Sequence, residues 1–206
     1  MFTNIRAASL TLKSVLERSF RADPDLAQLF DPMQGGAVVS LATPDGMEHA
    51  SELGLSMWLY RLVRDDQTLN QPPPRPAPNR IRRHPLPIRV HYLMTPIVTG
   101  NANTPAPETE QLVIGRVLQT FNDEPLISGG DLAGSYQGTE VELAVRLETL
   151  TLEEITRVWD SLERSYQLCI SYEVGIVSID SGLEATAGPP VMIALPEYAI
   201  GAPGAP

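Results

Sequence analysis

Residues 53–63 read LGLSMWLYRLV, residues 87–94 read PIRVHYLM, and QPPPRPAPNRIRRHPL (71–86) stands between them. In the first stretch Leu53, Leu55, Met57 and Leu59 form one face of a period-two pattern, and Trp58, Tyr60 and Leu62 form the other. A strand apolar on both sides is covered by protein on both sides, so this one belongs in the interior of a sheet. In the second stretch Ile88, Val90, Tyr92 and Met94 alternate with Arg89, His91 and Leu93, which makes it the natural hairpin partner. The connection is unusual. Prolines at 72, 73, 74, 76 and 78 exclude helix and sheet ladder alike, because each fixes φ and removes a backbone donor. Arg75, Arg80, Arg82 and Arg83 stand among or just after them with no acid between. Residues 64–86 therefore read as a long arm held out by two paired strands, and loops beyond about 12–15 residues are commonly functional or disordered.

Working outward, residues 4–20 carry Ile5, Ala8, Leu12, Val15 and Leu16 at helical spacing, with Thr3 placed as N-cap. A helical turn is expected at 23–30, a short strand at 37–42, and a turn at TPDG (43–46). Residues 108–121 predict a helix through Ile114, Val117, Leu118 and Phe121, followed by a short edge strand at 125–127. SGGDLAGSYQG (128–138) reads as a mobile glycine-rich loop, since phosphate-binding loops lead into a helix and this one leads into a strand. TEVELAVRLE (139–148) alternates cleanly, with Val141, Leu143, Val145 and Leu147 inward. Thr151 and Glu154 make a capping box with Leu150 and Ile155 as its staple, opening a helix that ends by Tyr166 and turns Ile155, Val158, Trp159 and Leu162 to the core. A strand follows at 168–179. The expectation is an α+β fold: one domain over 1–180, a mixed, mostly antiparallel sheet packed with three to four helices, the arm loop at about 64–86 in a hairpin, and an extended tail at 181–206 whose VMIALPEYAI (191–200) is β-prone. That tail stretch pairs either with a neighbour's exposed edge or with its own sheet.

Composition removes several function classes. The chain of 206 residues has 43% hydrophobic content, enough for a core, and no apolar run long enough to span a membrane. The N-terminus has helical spacing rather than the charged head and apolar block of a signal peptide. The single Cys169 lies in an apolar run, as a reduced buried thiol does, and the chain reads as cytoplasmic when it is made. A net charge of −10 argues against nucleic acid as partner. The distribution is sharper than the sum: residues 67–107 contain five arginines and no acid, leaving −15 for the remainder. Such a separation suits either a solvated loop or a basic arm that docks on an acidic neighbour.

No constellation asks for catalysis. His49, His84 and His91 stand at no metal-ligand spacing, and GxSxG, CxxC, P-loop and GxGxxG patterns are absent from the sequence. No cofactor is implied. PPPRPAPNR (72–80) contains PxxP with a flanking arginine, the composition read by SH3-type grooves. A proline-rich adaptor and a small-ligand-binding enzyme domain are thus the alternative readings.

Three features in order, LSMWLYRLVRDDQTLNQ (55–71) leading into the arm, PLPIRVHYLMTP (85–96), and the 151–179 block around Trp159 and Tyr166 ending SYEVGIVSI, span nearly the whole chain. In that order and spacing the sequence resembles the Pvc16 N-terminal domain family, the cap or tail-terminator proteins of extracellular contractile injection systems of the antifeeding-prophage and Photorhabdus virulence cassette type. The resemblance implies a structural, non-catalytic protein that forms a ring with itself, a homohexamer. It also implies that this ring closes the distal end of the inner tube and contacts the sheath, in a particle that is released or anchored. Longer relatives continue into a second domain. An arm of +5 on a body of −15 fits a head-to-tail ring, and arginine suits planar carboxylate pairing. The expected assembly residues are Arg75, Arg80, Arg82, Arg83 and Arg89.

Overall fold

The two alternating segments form neighbouring long strands inside the sheet, but a bulge between Leu59 and Arg61 puts Leu62, 52% exposed, on the face of Leu59 and not on that of Trp58 as the alternation predicts. The computed structural model describes residues 1–34, 36–68, 80–82, 84–99 and 105–186. In chain order its elements are α1 (Asn4–Ala22), β1 (Val38–Ser40), α2 (Pro44–His49), β2 (Gly54–Arg64), β3 (Arg80–Arg82), β4 (Leu86–Ile97), α3 (Ala106–Asp123), β5 (Leu126–Ser128), β6 (Glu142–Glu148), α4 (Leu152–Ser161), β7 (Ile170–Ile179) and β8 (Glu184–Thr186). Among the described residues the main sheet has six strands in the order β1-β2-β4-β7-β6-β5. β1 runs parallel to β2, and every other pair in it is antiparallel. The fold is α+β in one domain, with β2 and β4 inside the sheet.

One face packs beneath α1 and α3. Leu12, Leu16 and Phe20 of α1 and Val113, Val117 and Phe121 of α3 close over Met57, Tyr92 and Val174 of the sheet. One hydrogen bond and one aromatic contact fix this layer: the Tyr92 and Ser9 hydroxyls lie 2.8 Å apart, and the Phe121 and Tyr172 rings meet edge-on with centroids 5.0 Å apart. The opposite face carries α4, where Trp159 packs on Leu93 and Cys169 as a second, smaller core. The capping box is formed: the Thr151 hydroxyl accepts from the Glu154 backbone N–H at 3.3 Å, and the Glu154 carboxylate accepts from the Thr151 N–H at 2.9 Å.

Several local expectations change. Thr3 is helical rather than extended and makes no side-chain cap; α1 starts without one. TPDG does not stop at a turn. Thr43 accepts from Gly46 N–H at 3.0 Å, and with Pro44 at the first position this starts α2. The glycine-rich stretch 128–138 is not a free loop: two 3₁₀ turns bury Leu132 and Tyr136, and the Ala133 N–H donates to Thr11 Oγ1 at 2.9 Å. α4 ends at Ser161, before Tyr166, because Glu163 adopts φ 54°, the left-handed conformation that closes helices. Leu147 keeps its place in the alternation but is 56% exposed, because α3 leaves an open cleft of about 670 Å³ at that end of β6.

Gly54 sets the pairing of β1. It has φ +133°, and a Cβ there would stand 2.0 Å from the Val38 carbonyl oxygen, in the backbone of the strand it pairs with. Gly54→Ala is expected to unseat β1, with about 1–3 kcal/mol from backbone strain alone. A urea midpoint equal to that of the wild type would contradict this reading of the strand pair.

Candidate assembly interface

The arm leaves the end of β2 and returns at the start of β4, and Arg89, on the second face of the sheet, stands near its base. A bulge makes room for it: Ile88 pairs with Val177 and Val90 with Val174, so β7 puts two residues, Gly175 and Ile176, opposite the single Arg89. The guanidinium is engaged within its own chain. Nε and Nη2 donate to Asp65 Oδ1 at 2.8 and 2.7 Å, and Nη1 donates to Glu173 Oε1 at 2.9 Å. Asp65 also accepts from the Thr68 hydroxyl at 2.8 Å. That hydroxyl, together with Arg89 and against the opposing effect of burial, holds the Asp65 carboxyl below its ordinary value of 3.8. Arg89, expected as part of the docking charge, thus ties the first residues of the arm to the sheet.

Of the other expected assembly residues, Arg80 and Arg82 lie in β3, which pairs antiparallel with β8 in the register Arg80↔Thr186 and Arg82↔Glu184. The root of the arm and the start of the tail therefore meet in one ribbon, a pairing that neither segment announces in sequence. Arg75, Arg83, the PxxP motif at 72–79 and the tail stretch 191–200 lie outside the described residues.

A folded carboxylate with a lowered pKa adds stability above its unfolded value and loses it as pH falls through the folded one. Arg89→Met removes the partner that favours ionised Asp65. The variant is therefore expected to melt below the wild type at pH 7, and the gap is expected to narrow as pH drops below about 3.8. A gap of constant size down to pH 2.5 would show that Arg89 acts through packing alone.

Next to Arg89 on the same face lies a second polar group that the sequence does not single out. His91, 3% exposed, has Nδ1 3.0 Å from Glu148 Oε2. The same oxygen accepts from the Ser171 hydroxyl at 2.7 Å and from the Tyr60 hydroxyl at 3.1 Å. Burial pushes Glu148 upward, but the bonds from Ser171, His91 and Tyr60 outweigh it and leave the carboxyl below its ordinary value; burial lifts Tyr60 to about 12. Serine, histidine and glutamate meet here, yet the Ser171 proton points to the carboxylate and not to the imidazole. The arrangement orients side chains between β2, β4, β6 and β7 and does not activate a hydroxyl. Among the described residues no group of three His, Cys, Asp or Glu could hold a metal ion, and no helix is long and apolar enough to cross a membrane. The available signal was charge in alternation: Arg89 and His91 within an apolar strand, Glu148 and Glu173 within two others. Without the register, nothing in the sequence says that they meet.

The first layer carries acid at its far end. A groove of about 480 Å³ runs between the turn after α1 and the outer side of α3, lined by Asp23, Asp25, Leu26, Glu108, Leu112 and Arg116 among others. Arg116 is held by Ser19 Oγ at 2.8 Å and Gln119 Oε1 at 2.9 Å, and lies 3.7 Å from Asp23.

A family model described as the Pvc16 N-terminal domain matches residues 7–193. Two solved structures are similar in fold. One is the sheath/tube terminator of an extracellular contractile injection system, PVC, in its extended state (TM-score 0.60, 16% identity, 95% of this chain and 65% of that one). The other is the tube-terminating cap of the anti-feeding prophage (TM-score 0.58, 15% identity, 89% of this chain and 59% of that one). The chain thus spans less than two thirds of the length of each. No curated protein matches it in sequence.

Proposed function

Because the chain belongs to the Pvc16 N-terminal domain family, we propose that it is the terminator of a phage-tail-like contractile injection particle. In this reading it closes the distal end of the inner tube as a ring of identical subunits, a homohexamer, and contacts the last layer of sheath. The observation that carries the reading is the family match over residues 7–193. The likeness of fold to two terminator structures supports it. So does the charge layout, since a head-to-tail ring needs two different complementary patches on each subunit and this chain concentrates five arginines in one acid-free segment. The protein acts by geometry and needs no catalytic step. The polar network at His91 and Glu148 then serves to hold the sheet and α4 in one shape, which a ring subunit requires. The test is placement: a tagged copy of the full chain, labelled with gold and viewed by electron microscopy, marks one end of each particle only, opposite the baseplate. Label along the shaft, or at the baseplate end, overturns the reading.

A further inference from the structure

Resting on the ring reading above, we propose that the groove between the Asp23 turn and α3 receives the Pro/Arg segment of a second copy of this chain. Three observations carry it.

The first is charge. Asp23, Asp25 and Glu108 line the groove against the single guanidinium of Arg116, which already has partners in its own chain. Asp25 and Glu108 form no ion pair among the described residues. The Pro/Arg segment is the complement: residues 67–107 hold five arginines and no acid. Arginine is the cation suited to carboxylates in such a place, since its planar fork pairs with two oxygens at once and sheds water more readily than an ammonium does.

The second is shape and apolar content. The groove is a concave strip with Leu112, 44% exposed, on its α3 side and buried Leu26 beneath. It is not a uniformly polar surface. Proline rings and Ile81 of the incoming segment supply apolar matter for that side. Segments already restricted by proline lose less freedom on docking, so more of the contact energy remains as affinity.

The third is position. Met1 and Asn4, at the start of α1, bond to Asp180 and to the Ser178 carbonyl at the end of β7. Ile179, between them, pairs with Leu86, where the Pro/Arg segment returns to the sheet. The groove begins at Asp23, beyond the other end of α1. A helix of 19 residues is about 28 Å long. The basic root and the acidic groove thus lie at opposite ends of the helical layer. Each subunit presents base to one neighbour and acid to the other, which is the heterologous contact that closes a ring.

The experiment uses the full chain in assembled particles. Asp25→Arg with Glu108→Arg is expected to reduce the fraction of capped particles at least tenfold. Combining it with Arg80→Glu and Arg83→Glu is expected to restore capping, because the pair is then reversed on both sides. In parallel, Gln111→Cys with Ala77→Cys is expected to give a disulfide ladder on non-reducing gels of wild-type-like particles; the native Cys169 is buried and leaves the background low. Far-UV circular dichroism and urea midpoints confirm that each variant is folded. Normal capping by the groove variant, while a variant with only Arg80→Glu and Arg83→Glu fails to cap, overturns the groove and leaves the ring reading standing. Normal capping by both variants overturns the groove and the docking role of the arginines together. Loss of capping without rescue and without a ladder also overturns the groove as the receiver.

Discussion

Particles made with glutamate at positions 75, 80, 82 and 83 are expected to lack caps and to show tubes of uncontrolled length or low yield, although the subunit itself folds. The four changes move the chain from −10 to −18 and turn attraction into repulsion at every contact in the ring. An exposed ion pair is worth little, about 0–1 kcal/mol, but partly desolvated arginine–carboxylate pairs are worth more, and a ring repeats the loss at each interface. Salt weakens exposed pairs, so capping by the wild type is expected to fall with ionic strength in the same direction. One local effect needs separating. Arg82 is in backbone register with Glu184 in the β3–β8 ribbon, so Arg82→Glu also alters that strand pair. The variant with only Arg75→Glu and Arg83→Glu leaves that register intact and is expected to lose caps as well. Normal capped particles from both variants would return the segment to the status of a solvated loop.

Trp159→Ala is expected to cost about 3–5 kcal/mol, the usual range for truncating a buried large aromatic. Trp159 is 1% exposed and is the one fully buried side chain of α4. Its ring fills the space over Leu93, and its Nε1–H donates to Cys169 Sγ at 3.4 Å. A helix of ten residues does not stand alone in water, so α4 depends on this contact. Ile155, Val158 and Leu162 pack, partly buried, around the same small core, and Arg164, just beyond the helix, donates from Nε to Asp45 at 2.7 Å and from Nη1 to Glu48 at 2.9 Å. None of these contacts replaces the fully buried indole at the centre of that core. Trp159→Phe keeps most of the volume and loses the hydrogen bond, and is expected to fall between the two. A loss below about 1 kcal/mol for the alanine variant in urea titrations would mean that α4 is held by other means.

The fold was legible where local patterns are self-sufficient. Period-two alternation in 53–63 and 87–94 placed the two central strands, and Thr151 with Glu154 placed the start of α4, since a capping box is a local bond pattern written into four residues. Leu147 shows the limit. Alternation assigned its face correctly but not its exposure, because exposure depends on whether a distant helix reaches that end of the strand. TPDG shows another: a proline and a cap-forming threonine favour a turn and a first helical turn equally, and packing of Met47 decides between them. Arg89 and His91 were visible as charges in an apolar strand, but their partners Asp65, Glu173 and Glu148 were not, because register between strands carries no local signal. The same reason hid the pairing of β3 with β8. The surplus of arginine in 67–107 was legible outright, since charge counts need no structure. The groove that complements it was not, because its walls come from residues 23–26 and 108–119.

The most direct measurement is the length and end structure of tubes assembled in cells that lack this chain, viewed by cryo-electron microscopy beside particles from cells that make it. Tubes of broadly varying length with open distal ends are expected in its absence, and uniform tubes closed by a ring of density in its presence. Tubes of the same length, closed by the same density, in cells without the chain would contradict it.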